Sequence, residues 1–389
     1  MSNQNRLFMD GNTSNETFSY GEEIDNIKNS RTREDEFIKM IESALYLKIE
    51  EVSSLAYLIR RESGCIEDGS IILNARIPNK NIKLEGTRYY YSKGRKVIHF
   101  TSLSALFSII NDGALRLYNL HNSNDSCEYS FASNQFREIY SLQGFNEKKI
   151  EGYIEKIKEY SFILSTASTD EIKNKILWDK YGQKGRGVAI EFEILNELND
   201  WENFYFSNVF YNELEEFEDL KEKWKRIQLD NKQINYQVKL NQLLSLHKSK
   251  YNCSDEKENW SEEKEIRLLT LYPEVFHTEP FKERIYSDFK LDKADKPIKY
   301  FKLPLCDKNG EFIEKELNSR PEYFWEKIPR LRISNIYFSC DCPISNDDFT
   351  NFQVDLQSYI YKKMNCWVGS LPNKKIEYEI TSTNFNSFF

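Results

Sequence analysis

Short apolar runs of strand length, separated by polar or glycine-containing stretches, set the tightest limit on what this chain can fold into. Lys96–Thr101 (KVIHFT), Phe162–Thr166 (FILST), Gly187–Phe192 (GVAIEF), Glu265–Leu271 (EIRLLTL), Ile298–Leu305 (IKYFKLPL) and Ile333–Phe338 (ISNIYF) all read as strands. Ile71–Ile77, Arg88–Tyr91, Leu115–Leu117 and Phe204–Phe210 add shorter ones, and Ile376–Ile380 is expected to close the sheet. Helical patterns fall between them without a strict strand–helix–strand alternation, so the expected class is α+β.

A helix through Leu103, Leu106, Ile109 and Ile110 should end at Asn111-Asp112-Gly113, where glycine suits a left-handed cap. Two helices are expected over about 129–159 and one over about 171–181. Ser345 with Asp348 reads as an acidic capping box opening a helix with Phe349, Phe352, Leu356 and Ile360. From Glu34 to Ser63 apolar residues recur at helical spacing before Gly64, which predicts an N-terminal helical addition. Residues 1–32, rich in Asn, Ser, Glu and Asp, read as a mobile leader. Residues 33–96 then carry the N-terminal helix and short strands, and 97–385 the main domain. Inside it, 213–250 is long and charged, yet Leu220, Trp224, Ile227, Ile234, Val238, Leu243 and Leu246 mark one buried face. It is read as a packed helical insertion, with a partner-binding arm as the alternative.

Composition narrows the function classes. A net charge of −8 and a pI near 5.4 argue against a general nucleic-acid or membrane-surface binder. The start MSNQNRLFMDGNTSNETFSY has no signal-peptide core, and no apolar run has spanning length, so a cytoplasmic protein without a membrane partner is expected. With 24 Tyr and 26 Phe the core is aromatic, and buried Tyr hydroxyls require hydrogen-bond partners. Cys65, Cys127, Cys253, Cys306, Cys340, Cys342 and Cys366 form no CxxC pair and read as reduced thiols, Cys340 and Cys342 sharing one strand face. His99, His121, His247 and His277 fit no HExxH spacing, and no metal is expected.

No Walker loop, GxSxG elbow or GxGxxG fingerprint is present. The chemistry-bearing residues are instead scattered. His99 and Thr101 lie two apart on a strand and so on one face. Ser165 and Thr166 end another strand. Trp178 and Tyr181, at i, i+3, make one aromatic surface. Glu263, Glu265 and Arg267 line one face of an apolar strand. Gly182-Gln183-Lys184-Gly185-Arg186-Gly187 could cradle a phosphate, or simply turn a helix into a strand. Each also has an ordinary structural reading: a satisfied strand histidine, core aromatics, a solvated charged face.

In order along the chain, His99-Phe100-Thr101-Ser102, the helix with Asn111-Asp112-Gly113, and Asn124-Asp125-Ser126 with Glu128 resemble the bacterial family called domain of unknown function 2971. So do Phe162–Ser165, Leu177-Trp178 with Tyr181-Gly182, Gly187–Phe192, Trp260 with Glu263-Lys264-Glu265 and Arg267, and Ile333–Phe338. The resemblance covers about 97–385. Cys127 before Glu128, Ile266 in place of a tryptophan, and a long 213–250 depart from the pattern.

That family in turn resembles ADP-ribosyltransferases, which implies a mixed sheet core with flanking helices and NAD as substrate. By this resemblance His99 and Thr101 orient a ribose, while Ser165 with Trp178 or Tyr181 lines a nicotinamide pocket. Arg186 or Arg267 meets the diphosphate. Glu265 stabilises the charge that develops on the ribose, and Glu263 positions or deprotonates an acceptor. The implied function is transfer of ADP-ribose to a protein or nucleic acid, as in bacterial toxins and anti-phage defence, with NAD hydrolysis as a sub-case. Two other readings stand beside it. A non-catalytic nucleotide-sensing module would show Glu265 closed in a buried salt bridge to Arg267 or Lys264. A metal-dependent nuclease or phosphotransferase would gather Asp125, Glu128 and Glu265. The acceptor, the trigger and the oligomeric state are not written in the sequence.

Overall fold

The computed structural model describes residues 51–57, 70–76, 90–122, 134, 137, 146–211, 218, 222, 251–252, 260–271, 287–291, 295–321 and 326–365. The leader, the loop holding Asp125 and Glu128, the insertion 213–250 apart from helical Glu218 and Glu222, and Ile376–Ile380 lie outside them.

In chain order the strands and helices are β1 (Glu51–Tyr57), β2 (Ser70–Arg76), β3 (Lys96–Thr101), α1 (Leu103–Asp112), β4 (Ala114–Asn119), α2 (Glu147–Tyr160) and β5 (Ser161–Ser168). Then come α3 (Lys175–Lys180), β6 (Val188–Ile194), β7 (Phe204–Asn208), β8 (Phe210–Tyr211), β9 (Tyr251–Asn252) and β10 (Ile266–Leu271). The described part ends with β11 (Ser287–Leu291), β12 (Pro297–Pro304), β13 (Leu331–Phe338) and α4 (Asn346–Met364). The class is α+β, as the irregular alternation predicts.

Nine strands form one sheet in the order β11-β12-β4-β5-β3-β6-β13, with β10 joining β5 to β7, and all its pairings are antiparallel. Its branch point is β5. Ser161–Thr166 pair along their full length with β10, Phe162 and Ile163 also pair with β4, and Ala167 and Ser168 pair with β3. A strand can hold two neighbours at any one residue, so β5 serves its three partners in successive segments.

The larger core lies where α1, through Leu106, Ile109 and Ile110, and α4, through Phe349, Leu356, Ile360 and Met364, cover the sheet. A smaller core of Ile98, Phe100, Ala167, Leu177, Trp178 and Ala189 sits under α3. Local signals explain the helix ends. Ser102 accepts from the Ala105 amide at the start of α1, and Gly113 ends it at φ 59°. Ser345 accepts from the Asp348 amide at the start of α4. The tyrosine hydroxyls of Tyr91, Tyr181, Tyr211, Tyr300, Tyr337 and Tyr359 are all hydrogen bonded.

Several expectations are corrected. Of the N-terminal helix expected over Glu34–Ser63, Glu51–Tyr57 is instead a strand paired residue for residue with Ser70–Arg76, and the rest lies outside the described residues. Val52 and Leu55, three apart, favour one helix face and fall on opposite faces of a strand, so the seven cross-strand pairs outweigh the local pattern. The helix expected at 171–181 is broken, a 3-10 turn at Thr169–Lys173 handing over to α3 at Asn174, whose side chain caps Ile176. Phe204–Phe210 divides into β7 and β8, where the Val209 amide turns to the Glu265 carbonyl. Cys340 and Cys342 lie beyond the end of β13, the first exposed and the second buried, so they share no strand face. No described helix is long and apolar enough to cross a membrane.

Two glycines make opposite predictions. A Cβ on Gly187 would stand 2.2 Å from the Thr101 carbonyl oxygen, where β6 enters beside β3. Gly152, inside α2, has open space around it. Gly187→Ala should therefore cost about 2 kcal/mol or more, and Gly152→Ala should add about 0.5–1 kcal/mol, both read from urea unfolding.

Candidate functional site

His99 stands where β3 leaves β5. The recorded ladder between these strands ends at Ile98↔Ala167, and the next residue sends its ring, not its backbone, across: His99 Nδ1 lies 2.9 Å from the Ser165 carbonyl oxygen. A carbonyl can only accept, so Nδ1 carries the proton and Nε2 the lone pair. Burial pushes the His99 pKa down, more than the Ser165 carbonyl pulls it up, and the ring is neutral at pH 7. A neutral imidazole with Nε2 as acceptor can take a hydrogen bond from a ribose hydroxyl. Thr101 is half-buried further along β3, opposite Val188.

Ser165 links His99 to Glu265. Its carbonyl takes the histidine, and its hydroxyl donates to Glu265 Oε1 at 2.5 Å. Register explains the meeting, because Ser165 is the Cα partner of Arg267 across β5 and β10. Arg267 grips Glu265 with both ends of its fork, Nε to Oε1 at 2.9 Å and Nη2 to Oε2 at 2.7 Å. Both side chains are buried, at 4% and 7% exposure. Tyr211 completes the set, its hydroxyl donating to Oε2 at 3.1 Å. Burial raises the Glu265 pKa, but the Arg267 charge and the Arg267, Ser165 and Tyr211 donors outweigh it and leave it below the usual glutamate value.

Glu263 is held separately. Lys264, at φ 46°, turns the chain after a 3-10 turn at Trp260–Glu263, and β10 begins only at Ile266. Glu263 therefore leaves the chain from a turn and does not share a strand face with Glu265 and Arg267, which corrects the period-2 expectation. Its carboxylate accepts from Lys180 Nζ at 2.9 Å and from the Tyr181 hydroxyl at 2.7 Å, and Lys180 also lies over the Trp260 ring at 3.9 Å. Asn174 ties this turn to α3 by donating to the Glu262 carbonyl. Burial raises the Glu263 pKa, helped by the nearby Glu265 charge, and Lys180 and Tyr181 only partly offset it. The two glutamates thus feel one another, with Glu265 the stronger acid.

Of the sequence candidates, His99, Ser165, Glu265 and Arg267 form one hydrogen-bonded chain, with Glu263 and Tyr181 beside it. The others stand apart. Trp178 is fully buried, its indole nitrogen donating to the Ile172 carbonyl and its ring meeting Phe100 edge-on at 5.1 Å. It is a core residue with no face free to stack, which leaves Tyr181, 38% exposed, as the available aromatic. The Gly182–Gly187 segment is a tight turn and not a phosphate cradle: the amides of Gly182, Lys184, Gly185, Arg186 and Gly187 all bond to carbonyls of residues 177–183. The Arg186 side chain is exposed. Arg267 is committed to Glu265, so its meeting a diphosphate would require breaking that pair. Lys264 pairs with Glu171 and not with Glu265.

Tyr211 and Lys180 escaped sequence reasoning. Tyr211 follows an apolar strand run and Lys180 sits inside a Trp–Tyr spacing, and neither belongs to a pattern that implies contact with a carboxylate 54 or 83 positions away.

The ion pair sets a stability test. Arg267→Met leaves a buried carboxylate unpaired and should destabilise the fold by about 3–5 kcal/mol, and adding Glu265→Gln should recover part of the loss. The acid limb gives the sign. Glu265 has a lowered folded pKa, so its contribution is complete above the ordinary glutamate range and fades as pH falls through the folded value. The stability gap between wild type and Glu265→Gln should narrow on acidification; a widening gap contradicts the pair.

No curated protein and no solved structure matches the chain. A family model described as a protein of unknown function (DUF2971) matches residues 177–268. That stretch runs from α3 into β10 and holds Tyr181, Arg186, Tyr211, Glu263, Glu265 and Arg267, while His99, Thr101 and Ser165 precede it. Over those residues the chain is similar to that family.

Proposed function

We propose that this chain binds a nicotinamide dinucleotide at the β3–β5–β10 junction and transfers its ADP-ribose to a macromolecular acceptor, a protein or a nucleic acid. The observation that carries the reading is that a neutral His99 on β3, Ser165 on β5 and Glu265, one residue before β10, are connected at 2.9 Å and 2.5 Å. Breaking the bond between nicotinamide and ribose sends the electron pair to the ring nitrogen and leaves positive charge on the sugar. A glutamate kept ionised beside that sugar, in a site poor in water, stabilises the charge where it develops. His99 Nε2 and the Thr101 hydroxyl orient the ribose, and Tyr181 offers an exposed ring for nicotinamide. Glu263, the weaker acid of the pair, accepts the proton of the acceptor nucleophile as that group closes on the sugar carbon. Toxin action or anti-phage defence is the setting proposed for such chemistry.

The Glu265–Arg267 ion pair favours a second reading, a nucleotide-sensing module without turnover. A carboxylate closed in a buried ion pair is that module's mark, and it has a parallel on the same sheet. Glu191 of β6, also buried, accepts from Lys96, Ser334, Asn335 and Tyr337, a set of partners that reads as purely structural. Under the transferase reading the ion-paired carboxylate is the resting form, which bound ribose must enter.

Nicotinamide release from labelled NAD, measured with and without cell lysate, separates the two. Transfer predicts release by wild type, label appearing on protein or nucleic acid, and a loss of roughly 100- to 1,000-fold in Glu265→Gln. Binding of NAD without release, in wild type and Glu265→Gln alike, assigns the sensor. Neither binding nor release removes the dinucleotide from the account.

A further inference from the structure

A carboxylate offers about four lone-pair positions, and Glu265 has four donor atoms on them: Ser165 Oγ, Tyr211 OH, and Nε and Nη2 of Arg267. A ribose hydroxyl can reach this carboxylate only by exchange. The donors differ in how firmly they are held. Arg267 is bidentate, charged and buried, and releasing it would strand two buried charges. Ser165 makes the shortest contact, from a strand locked in register with β10. Tyr211 makes the longest, at 3.1 Å, is neutral and half-buried, and sits on two-residue β8, which among the described residues pairs with two-residue β9.

We infer that the Tyr211 hydroxyl is a placeholder on Glu265 Oε2, occupying the position that the nicotinamide-ribose 2′-hydroxyl takes when the dinucleotide binds. This rests on the dinucleotide reading proposed above. Tyr211 is then a positioning residue that competes with substrate, while Arg267, which shares Oε2 with it, stays in place and keeps the carboxylate ionised. The exchange replaces one hydroxyl donor by another, so the carboxylate never loses its fourth partner, and no proton changes hands. The same exchange explains how a fully satisfied carboxylate can still bind: its hydrogen bonds are complete in both states.

The test is direct binding of NAD, by calorimetry, to wild type, Tyr211→Phe and Glu265→Gln, repeated with NAD lacking the 2′-hydroxyl of the nicotinamide ribose. Removing the competitor should tighten NAD binding to Tyr211→Phe by about tenfold, with no gain for the 2′-deoxy compound. Site-specific 3-fluorotyrosine at position 211, a stronger donor in a nearly unchanged shape, should weaken NAD binding; it serves equally if Tyr211→Phe does not fold. A tyrosine that merely braces the fold would not move affinity in opposite directions. Equal or weaker NAD binding by Tyr211→Phe, with Glu265→Gln still impaired, overturns the placeholder and leaves the dinucleotide site standing. No binding by any form, wild type included, overturns both.

Discussion

The candidate site depends on β5 changing neighbours partway along its length. Through Thr166 it is a ladder partner of β10, and from Ala167 it is a partner of β3. Backbone groups near such a handover lose regular strand partners and must be satisfied otherwise. The Ser165 carbonyl is met by the His99 ring, and the Thr166 hydroxyl donates to the Ile266 carbonyl at 2.7 Å. A polar junction is thus placed between two apolar cores, with the Arg267 and Glu265 charges against it.

Burying two opposite charges beside one another costs several kcal/mol per ion before their attraction is counted, so the pair is not there for stability alone unless its hydrogen bonds are complete. They are complete, through Ser165 and Tyr211. Glu263 is treated differently by the same neighbourhood. It has a lysine and a tyrosine as partners, lies close enough to Glu265 to be repelled, and is pushed toward weaker acidity. Two carboxylates with separated acid strengths are what one expects where one must stay charged and the other exchange a proton, and this division is the physical link between the packing and the transfer chemistry proposed.

Much of this was legible in residues and some was not. The strands KVIHFT, FILST, GVAIEF and ISNIYF, the Gly113 stop and the Ser345 cap follow from local periodicity and capping chemistry, and they fall where expected. Glu51–Tyr57 does not, because Val52 and Leu55 keep helical spacing and the pairing with Ser70–Arg76 is a long-range fact. Period-2 reasoning placed Glu263 with Glu265 and failed at Lys264, whose positive φ carries no sequence signature in a lysine. Trp178 and Tyr181 looked alike at i, i+3; tertiary packing made one the centre of a core and left the other at the rim. Tyr211 and Lys180 reach their glutamates only through the sheet's topology, which no local pattern contains.

The most direct measurement is a crystal structure of the Glu265→Gln variant soaked with NAD, the amide keeping the shape while slowing turnover. The account predicts nicotinamide ribose at the β3–β5–β10 junction, its 2′-hydroxyl within hydrogen-bond distance of residue 265, a ribose hydroxyl on His99 Nε2 and the nicotinamide ring against Tyr181. Dinucleotide bound away from this junction, with no ribose beside residue 265 or His99 Nε2, would contradict it.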